Sequence, residues 1–398
     1  MHATRILHRC LGPVLGSMHA KRRARLLGAV EALIHGRRLT LTDLARSWVG
    51  ALRSHAPLKA LDRLLSNRRL HAAIVPLQQA MVAWLFGQGR PVVLVDWSDL
   101  KGDGRWCLLR AATPVKGRAL TVYEVIFPLR MMNKPSAQKR FLRGLQQVLA
   151  PTARPIVVTD AGFRSDWFRA VKAIGWDYVG RVRNNTQVRQ ENTEWKACSH
   201  LHARAKRAAV DLGHWLFVKG SPWPIRLVIA SRPRKGRDQE TRKGTPQQGT
   251  TAKRARKAAR EPWLLGTSLS AEEFSAASLI ALYAKRWQIE TAFRDLKSHR
   301  YGVGFKDSQS RNDKRLAVLL LLQTLAAFAA WVAYLAARTT ALTLQNPMTR
   351  QANHQQRYSW YRQGLAWLKD PHRYLTCNRL TLRQIILTEV EQIHELAA

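Results

Sequence analysis

PVVLVDW, residues 91–97, is a short apolar, β-branched run that ends on a carboxylate, Asp96. Valines crowd the preceding turn of a helix but fit a pleated surface, so the run predicts a buried strand. A KGDG turn at 101–104 leads to RWCLLRAATP at 105–114, and a VKG turn at 115–117 leads to RALTVYEVIFPL at 118–129. Turns this short reverse the chain, so the three strands form an antiparallel meander. Further on, SAQKRFLRGLQQVLA (136–150) reads as a basic helix and PIVVTDAGF (155–163) as a second apolar strand ending on an acid, Asp160. Helix SDWFRAVKAIG (165–175) and strand WDYVGRVR (176–183) follow. Strands that pair first through hairpins and then through helical crossovers predict an α/β fold, a mixed sheet covered by helices. Both acids fall at the carboxyl ends of buried strands, the edge at which such sheets build their sites. A lone Asp there is as often a turn former or a helix cap; two on strands expected to be neighbours strain that reading.

Outward from this core the chain changes character on each side. Residues 1–85 read as helices in three pieces, 18–36, 39–52 and 56–87, the middle one opening at Thr40 or Thr42, either of which can cap it. Basic helices broken at Gly36 suggest a helix-turn-helix DNA-recognition domain, and an ordinary basic bundle fits them equally. Past the core, residues 184–262 break into short strands (AAVDLGHWLFVKG, PIRLVIAS) and then a basic run at 232–261 without apolar periodicity. They predict a β-rich insertion with a mobile loop ordered by phosphate contacts. The strand EPWLLGTSL at 261–269 resumes the core, which extends over 263–340, and residues 341–398 form a helical C-terminal region.

LIALYAKRWQIETAFRDLK, residues 279–297, reads as one helix: it has no Pro or Gly, and Leu279, Leu282, Ile289, Phe293 and Leu296 recur at helical spacing. At about 100° per residue, Tyr283, Arg286, Glu290 and Lys297 share one edge within roughly 60°. Such a row can bind a metal and grip phosphates; a solvated edge with an Arg286–Glu290 ion pair is the plainer alternative. With Asp96 and Asp160, Glu290 completes a set of three carboxylates. Hard oxygen ligands suit Mg²⁺ or Mn²⁺, and two such ions about 3.5–4 Å apart can activate an attacking oxygen and steady a leaving one. The chemistry implied is phosphodiester cleavage or transfer.

The charge balance points to the same partner class. The chain of 398 residues carries 66 Lys and Arg against 26 Asp and Glu, a net charge of +40, and its natural complement is a large polyanion. The basic residues run through every region instead of lining one amphipathic helix, which argues for nucleic acid over a membrane surface. Cys10, Cys107, Cys198 and Cys377 are far apart and form no CxxC pair, as expected of free thiols in a reducing cytoplasm. No secretory leader is expected at the N-terminus. Residues 316–337, LAVLLLLQTLAAFAAWVAYLAA, are long enough to span a bilayer. Being single, late and Ala-rich in a chain otherwise suited to polyanions, the segment is expected to be a buried core helix.

Together these residues resemble the DDE transposases of bacterial insertion sequences, in the group marked by Tyr-x2-Arg-x3-Glu-x6-Lys. Tyr283, Arg286, Glu290 and Lys297 match that spacing without a gap, VLVDWSD and VTDAGF resemble the family's two Asp motifs, and EPWLLGTSL resembles its tryptophan-bearing strand. The resemblance runs from the helical N-terminus to about residue 340. It implies an RNase H-like mixed-sheet core interrupted by a β-rich insertion. It further implies Asp96, Asp160 and Glu290 as ligands of two Mg²⁺ ions (Mn²⁺ substituting), Tyr283, Arg286 and Lys297 as phosphate contacts, and Trp263 stacking on a base flipped from a hairpin. The implied partners are the terminal inverted repeats, target DNA and a second copy of the chain in a DNA synapse, within the bacterial cytoplasm at the nucleoid. An RNase H-like nuclease without strand transfer would use the same triad, and a domesticated DNA-binding protein would have lost it.

Overall fold

The computed structural model describes residues 2–87, 89–183, 186–232, 249–250, 261–339, 359–370 and 379–395. The basic run expected as a phosphate-ordered loop falls almost entirely outside these residues. The chain divides into two compact units, one of Met1–Pro155 with Trp287–Glu395, the other built on Ile156–Arg286.

The first unit opens with five helices, α1 (His2–Ser17), α2 (Ala20–Gly36), α3 (Leu41–Arg46), α4 (His55–Leu65) and α5 (Arg68–Leu85). The cap of α3 is Thr40, whose hydroxyl accepts the Asp43 N–H at 3.1 Å and donates to the Asp43 carboxylate at 2.6 Å. This helix is shorter than the sequence suggests. Ser47 packs against Gly36 and Trp48 against Gly28, so closely that a Cβ on either glycine would collide with them, and the chain turns away at Ser47. The long helix expected over 56–87 is likewise two, because Asn67 leaves the helix and caps α5, its side chain accepting the Leu70 N–H at 2.9 Å.

Strands β1 (Val92–Asp99), β2 (Trp106–Val115) and β3 (Arg118–Pro128) form the expected antiparallel meander, with Asp96 opposite Arg110 and Arg110 opposite Glu124. Helix α6 (Pro135–Val148) packs on β3.

The second unit begins with β4 (Ile156–Thr159), crosses through α7 (Ser165–Ala173) and returns in parallel as β5 (Asp177–Arg181). The insertion contributes β6 (Gln187–Arg189), β7 (Lys196–Ala197), β8 (Val210–Phe217) and β9 (Trp223–Ala230), and β10 (Trp263–Thr267) lies antiparallel between β5 and β9. The strand order β4-β5-β10-β9-β8-β6-β7 makes one mixed sheet of core and insertion. A hairpin meander and a parallel pair joined by a helix make a mixed-sheet α/β protein, the fold class expected.

Residues 279–297 are two helices, α8 (Ala276–Ala284) in the second unit and α9 (Trp287–Lys297) in the first. The N–H groups of Lys285 and Arg286 bond the carbonyls of Leu282 and Tyr283, three residues back rather than four, which ends the regular ladder. No Pro or Gly causes this. The interruption falls where the chain passes from one unit to the other, so its origin is tertiary.

The first unit is completed by α10 (Asp313–Thr339), α11 (Trp360–Lys369) and α12 (Arg379–Glu395). Helix α10 is long and apolar enough to cross a membrane, yet 89% of its most apolar window is buried, against α1, α2, α4, α5, α11, α12 and β3. A helix covered on every side has no need of a polar face.

Candidate active site

Two of the three acids expected at the site stand on the first unit. Asp96 is half-buried on β1, its carboxylate accepting the Trp97 N–H at 2.8 Å, and Glu290 is exposed in the first turn of α9. Helix α9 packs on all three strands of the meander. Lys297, two turns beyond Glu290, donates its ammonium to the Ser98 hydroxyl and the Asp99 carbonyl, tying the end of α9 to the strand that carries Asp96. Burial pulls its pKa down to about 8, and Lys306 pulls the same way, against the raising influence of Asp99 and Asp96. The Asp99 carboxylate itself accepts the Gly102 N–H and shapes the turn after β1.

Beneath α9 lies a pair that the motifs do not mention. Arg110 on β2 is fully buried, with Nε and Nη2 at 2.8 and 2.6 Å from Oε2 of Glu124 on β3. The Glu124 Oε1 accepts from Thr324 of α10 at 3.3 Å, so this polar interruption in an apolar helix has a partner. The Arg110 guanidinium stacks 5.1 Å from the Phe293 ring of α9, and the Lys297 Nζ lies 5.5 Å from the same ring. An arginine in the middle of RWCLLRAATP, with a glutamate in the next strand, was the available signal for this pair.

The remaining predicted residues are on the second unit. Asp160 is half-buried at the end of β4 and accepts the Gly162 N–H at 2.9 Å, so it forms the turn expected of an Asp after a strand. Any side chain at Gly162 would bring a Cβ to 3.0 Å from that carboxylate. Tyr283, Arg286 and Trp263 are brought together. The Trp263 and Tyr283 rings meet edge to face at 5.0 Å, Arg286 lies 5.9 Å from the Tyr283 ring, and Arg232 lies 5.3 Å over the Trp263 ring. Burial raises the Tyr283 pKa, opposed by Arg286 and Arg181 and reinforced by Asp160. Trp263 is half-buried and thus not a plain core residue. Its approach is fixed by Arg181, which donates to the Glu261 and Pro262 carbonyls, and by Arg183, at 2.6 Å from the Glu261 carboxylate.

The buried Arg226 on β9 anchors the turn before α8. It donates to the carbonyls of Leu269, Ser270 and Phe274 at 3.2, 2.7 and 2.9 Å while paired with Asp211 of β8. The insertion thereby positions the helix that carries Tyr283.

Among the described residues no group of three or more His, Cys, Asp or Glu side chains is gathered as a metal-binding cluster. The predicted triad is divided between the two units, Asp96 and Glu290 on one and Asp160 on the other. Its donor set, carboxylate oxygen alone and all of it at least partly accessible, suits a hard divalent cation.

Residues 87–328 match the family profile for the transposase DDE domain. Two curated Escherichia coli proteins are similar over 166 residues at 32% identity: the InsL transposase of insertion sequence element IS186A, from strain K12, and the transposase of IS421. Each alignment covers 37% of this chain, and 44% and 43% of the respective relative, so the matched region is less than half the length of either. A cryo-EM structure of the piggyBac transposase synaptic complex with hairpin DNA aligns over 96% of this chain and 83% of its own, at 11% identity and a TM-score of 0.44.

Proposed function

Because the chain belongs to the DDE transposase family, we propose that it binds the terminal inverted repeats of its own insertion sequence, cuts DNA there and joins the freed ends to target DNA through a hairpin intermediate. The observation that carries this reading is that Asp96, Asp160, Glu290 and the Tyr283–Lys297 set all lie inside the matched region, Glu290 exposed and Asp96, Asp160, Arg286 and Lys297 half-buried, with Tyr283 buried beside Arg286.

Asp96, Asp160 and Glu290 would hold divalent metal, Mg²⁺ or Mn²⁺ and two ions, which when bound supply the positive charge that activates an attacking oxygen and steadies a leaving one. The chain's own residues do the holding. Lys297 exchanges its Asp99 carbonyl for a backbone phosphate, an acceptor that carries full charge and gives a stronger hydrogen bond. Arg286 and Tyr283 take a second phosphate, and Trp263 offers a face to a base displaced from the stack, a contact worth roughly 1–3 kcal/mol. Retention of the cut end by these groups is what separates a transposase from a nuclease, which releases its product.

The helices of residues 1–85 recognise the transposon end, β9 pairs with the strand that carries the tryptophan, and α11 and α12 pack on α10. The chain acts as a homodimer in the synapse, at the bacterial nucleoid. The test is incubation of the protein with Mg²⁺ and a plasmid carrying the inverted repeats. Nicked, hairpin and joined products are expected, and each should disappear in Asp96→Ala, Asp160→Ala and Glu290→Ala, and with EDTA. Efficient nicking with neither hairpin nor joined product would mean a nuclease instead.

A further inference from the structure

We propose that the pocket between the last turn of α9 and the loop 298–307 is a further backbone-phosphate subsite, with Lys306 as its exposed ligand, gripping transposon-end DNA outside the four-residue signature. The proposal rests on the reading of the protein as a DNA transposase and adds a contact that its motifs do not contain.

The pocket has a volume of about 470 Å³ and is lined by Phe293, Arg294, Lys297, His299, Lys306 and Asp307. Three basic side chains, Arg294, Lys297 and Lys306, line the pocket with one carboxylate, and that carboxylate is already engaged, Asp307 lying 2.6 Å from the His299 Nδ1. Arg110, paired with Glu124, lies beneath the Phe293 floor, its Nη1 buried without a hydrogen-bond partner. Burial, then Lys306 and Arg110, disfavour the charged form of Lys297, against Asp99 and Asp96. An anion in the pocket would add to the favourable side of that balance.

The walls are preorganised. Arg38, just past α2, donates to the His299 carbonyl at 2.5 Å and lies 3.2 Å from its ring, and the Leu39 N–H bonds the Val303 carbonyl at 2.9 Å. Gly304 has φ 63°, and a Cβ there would stand 2.6 Å from the Asp307 carboxylate, so the loop closes tightly just before Lys306. On the other side Lys101 donates to the carbonyls of Ser308 and Ser310. A loop fastened at 299, 303, 308 and 310 presents Lys306 at a fixed place, so little ordering opposes binding.

Seven residues of helix separate Glu290 from Lys297, a rise of about 10 Å. Phosphates on one strand advance about 3.4 Å each along the duplex axis, so the pocket reaches a phosphate within about three nucleotides of the one at Glu290. Four of the lining side chains, Arg294, Lys297, Lys306 and Asp307, are charged and three of these are basic, which suits a phosphodiester.

The experiment is fluorescence anisotropy of the full chain on two labelled duplexes of equal length, one with the inverted-repeat end and one unrelated, across a salt series. Lys306→Gln should lower the slope of log affinity against log salt by about 0.9, which at 0.1 M salt corresponds to about eightfold weaker binding if affinities converge at 1 M. The loss should be equal on both duplexes, because phosphate contacts carry no sequence information, and Lys306→Arg should restore it. An unchanged slope and affinity in Lys306→Gln, a loss confined to the inverted-repeat duplex, or failure of Lys306→Arg to restore binding would each overturn the subsite. A wild-type chain that binds neither duplex would instead refute the transposase reading, and the subsite with it.

Discussion

Replacing Glu124 with alanine tests whether the buried pair under α9 holds the first unit together. Arg110 is 0% exposed and Glu124 5%, and they sit directly opposite each other on β2 and β3. Unlike a lysine, the guanidinium cannot escape burial by losing its proton, so Glu124→Ala leaves a charge stranded in the core. Breaking a buried pair from one side costs about 3–5 kcal/mol, whereas replacing both partners with apolar residues of similar size is often neutral or stabilising. Glu124→Ala is therefore expected to lose about 3–5 kcal/mol, and Arg110→Met with Glu124→Leu to return most of it. The Thr324 hydroxyl loses its acceptor in either variant, a smaller cost of about 1 kcal/mol. Native-state hydrogen exchange at the amides of β2 and β3 is the suitable assay, because a chain of two units need not unfold in one step. A loss below about 1 kcal/mol in Glu124→Ala, or a double variant no better than the single one, would refute the reasoning.

Two further outcomes are expected. Asp295 on α9 is paired with Arg118 at 2.7 Å, but burial dominates and raises its pKa from 3.8 to about 6. A raised folded pKa means stability fully present below about pH 4 and lost as the pH rises through 6, by about 3 kcal/mol for two units. Asp295→Asn should flatten denaturation midpoints over that window, and an unchanged pH profile in the variant would exclude Asp295 as the source. At Trp263, substitution by alanine should spare the first nick and deplete the hairpin product on a gel, while Arg286→Ala should accumulate nicked DNA with less of every later product; equal loss at all steps would assign both to structure alone.

The elements that could be read from the sequence are those whose cause is local. The meander follows from β-branched runs separated by short Gly-containing turns, and β4, α7 and β5 follow from an apolar run, a helical stretch and a second apolar run in order. Thr40 could be named as one of two possible caps because a hydroxyl acts within three residues of itself. What the sequence did not reveal was decided at long range. The early end of α3 depends on Gly28 and Gly36, packed against Trp48 and Ser47 from a neighbouring helix. The Asp99 carbonyl that receives Lys297 is 198 residues away in the chain, and the Arg226 that anchors the turn before α8 comes from the insertion. Neither a periodicity nor a motif carries that information.

The break at Lys285–Arg286 changes what the four-residue spacing means. On one helix, Tyr283, Arg286, Glu290 and Lys297 would share an edge because about 100° per residue accumulates without interruption. The regular ladder stops after Ala284, so that accumulation holds only within each part. Glu290 and Lys297 remain in phase: seven residues turn through about 700°, within roughly 20° of two full turns, along the one rigid element that packs on β1. Tyr283 and Arg286 are related differently, by a guanidinium lying against a ring where the chain tightens to i→i−3 bonds. The motif is therefore two pairs, each fixed by the packing of its own unit. The interval Arg286–Glu290 spans the end of the regular ladder, so helical phase alone does not set it.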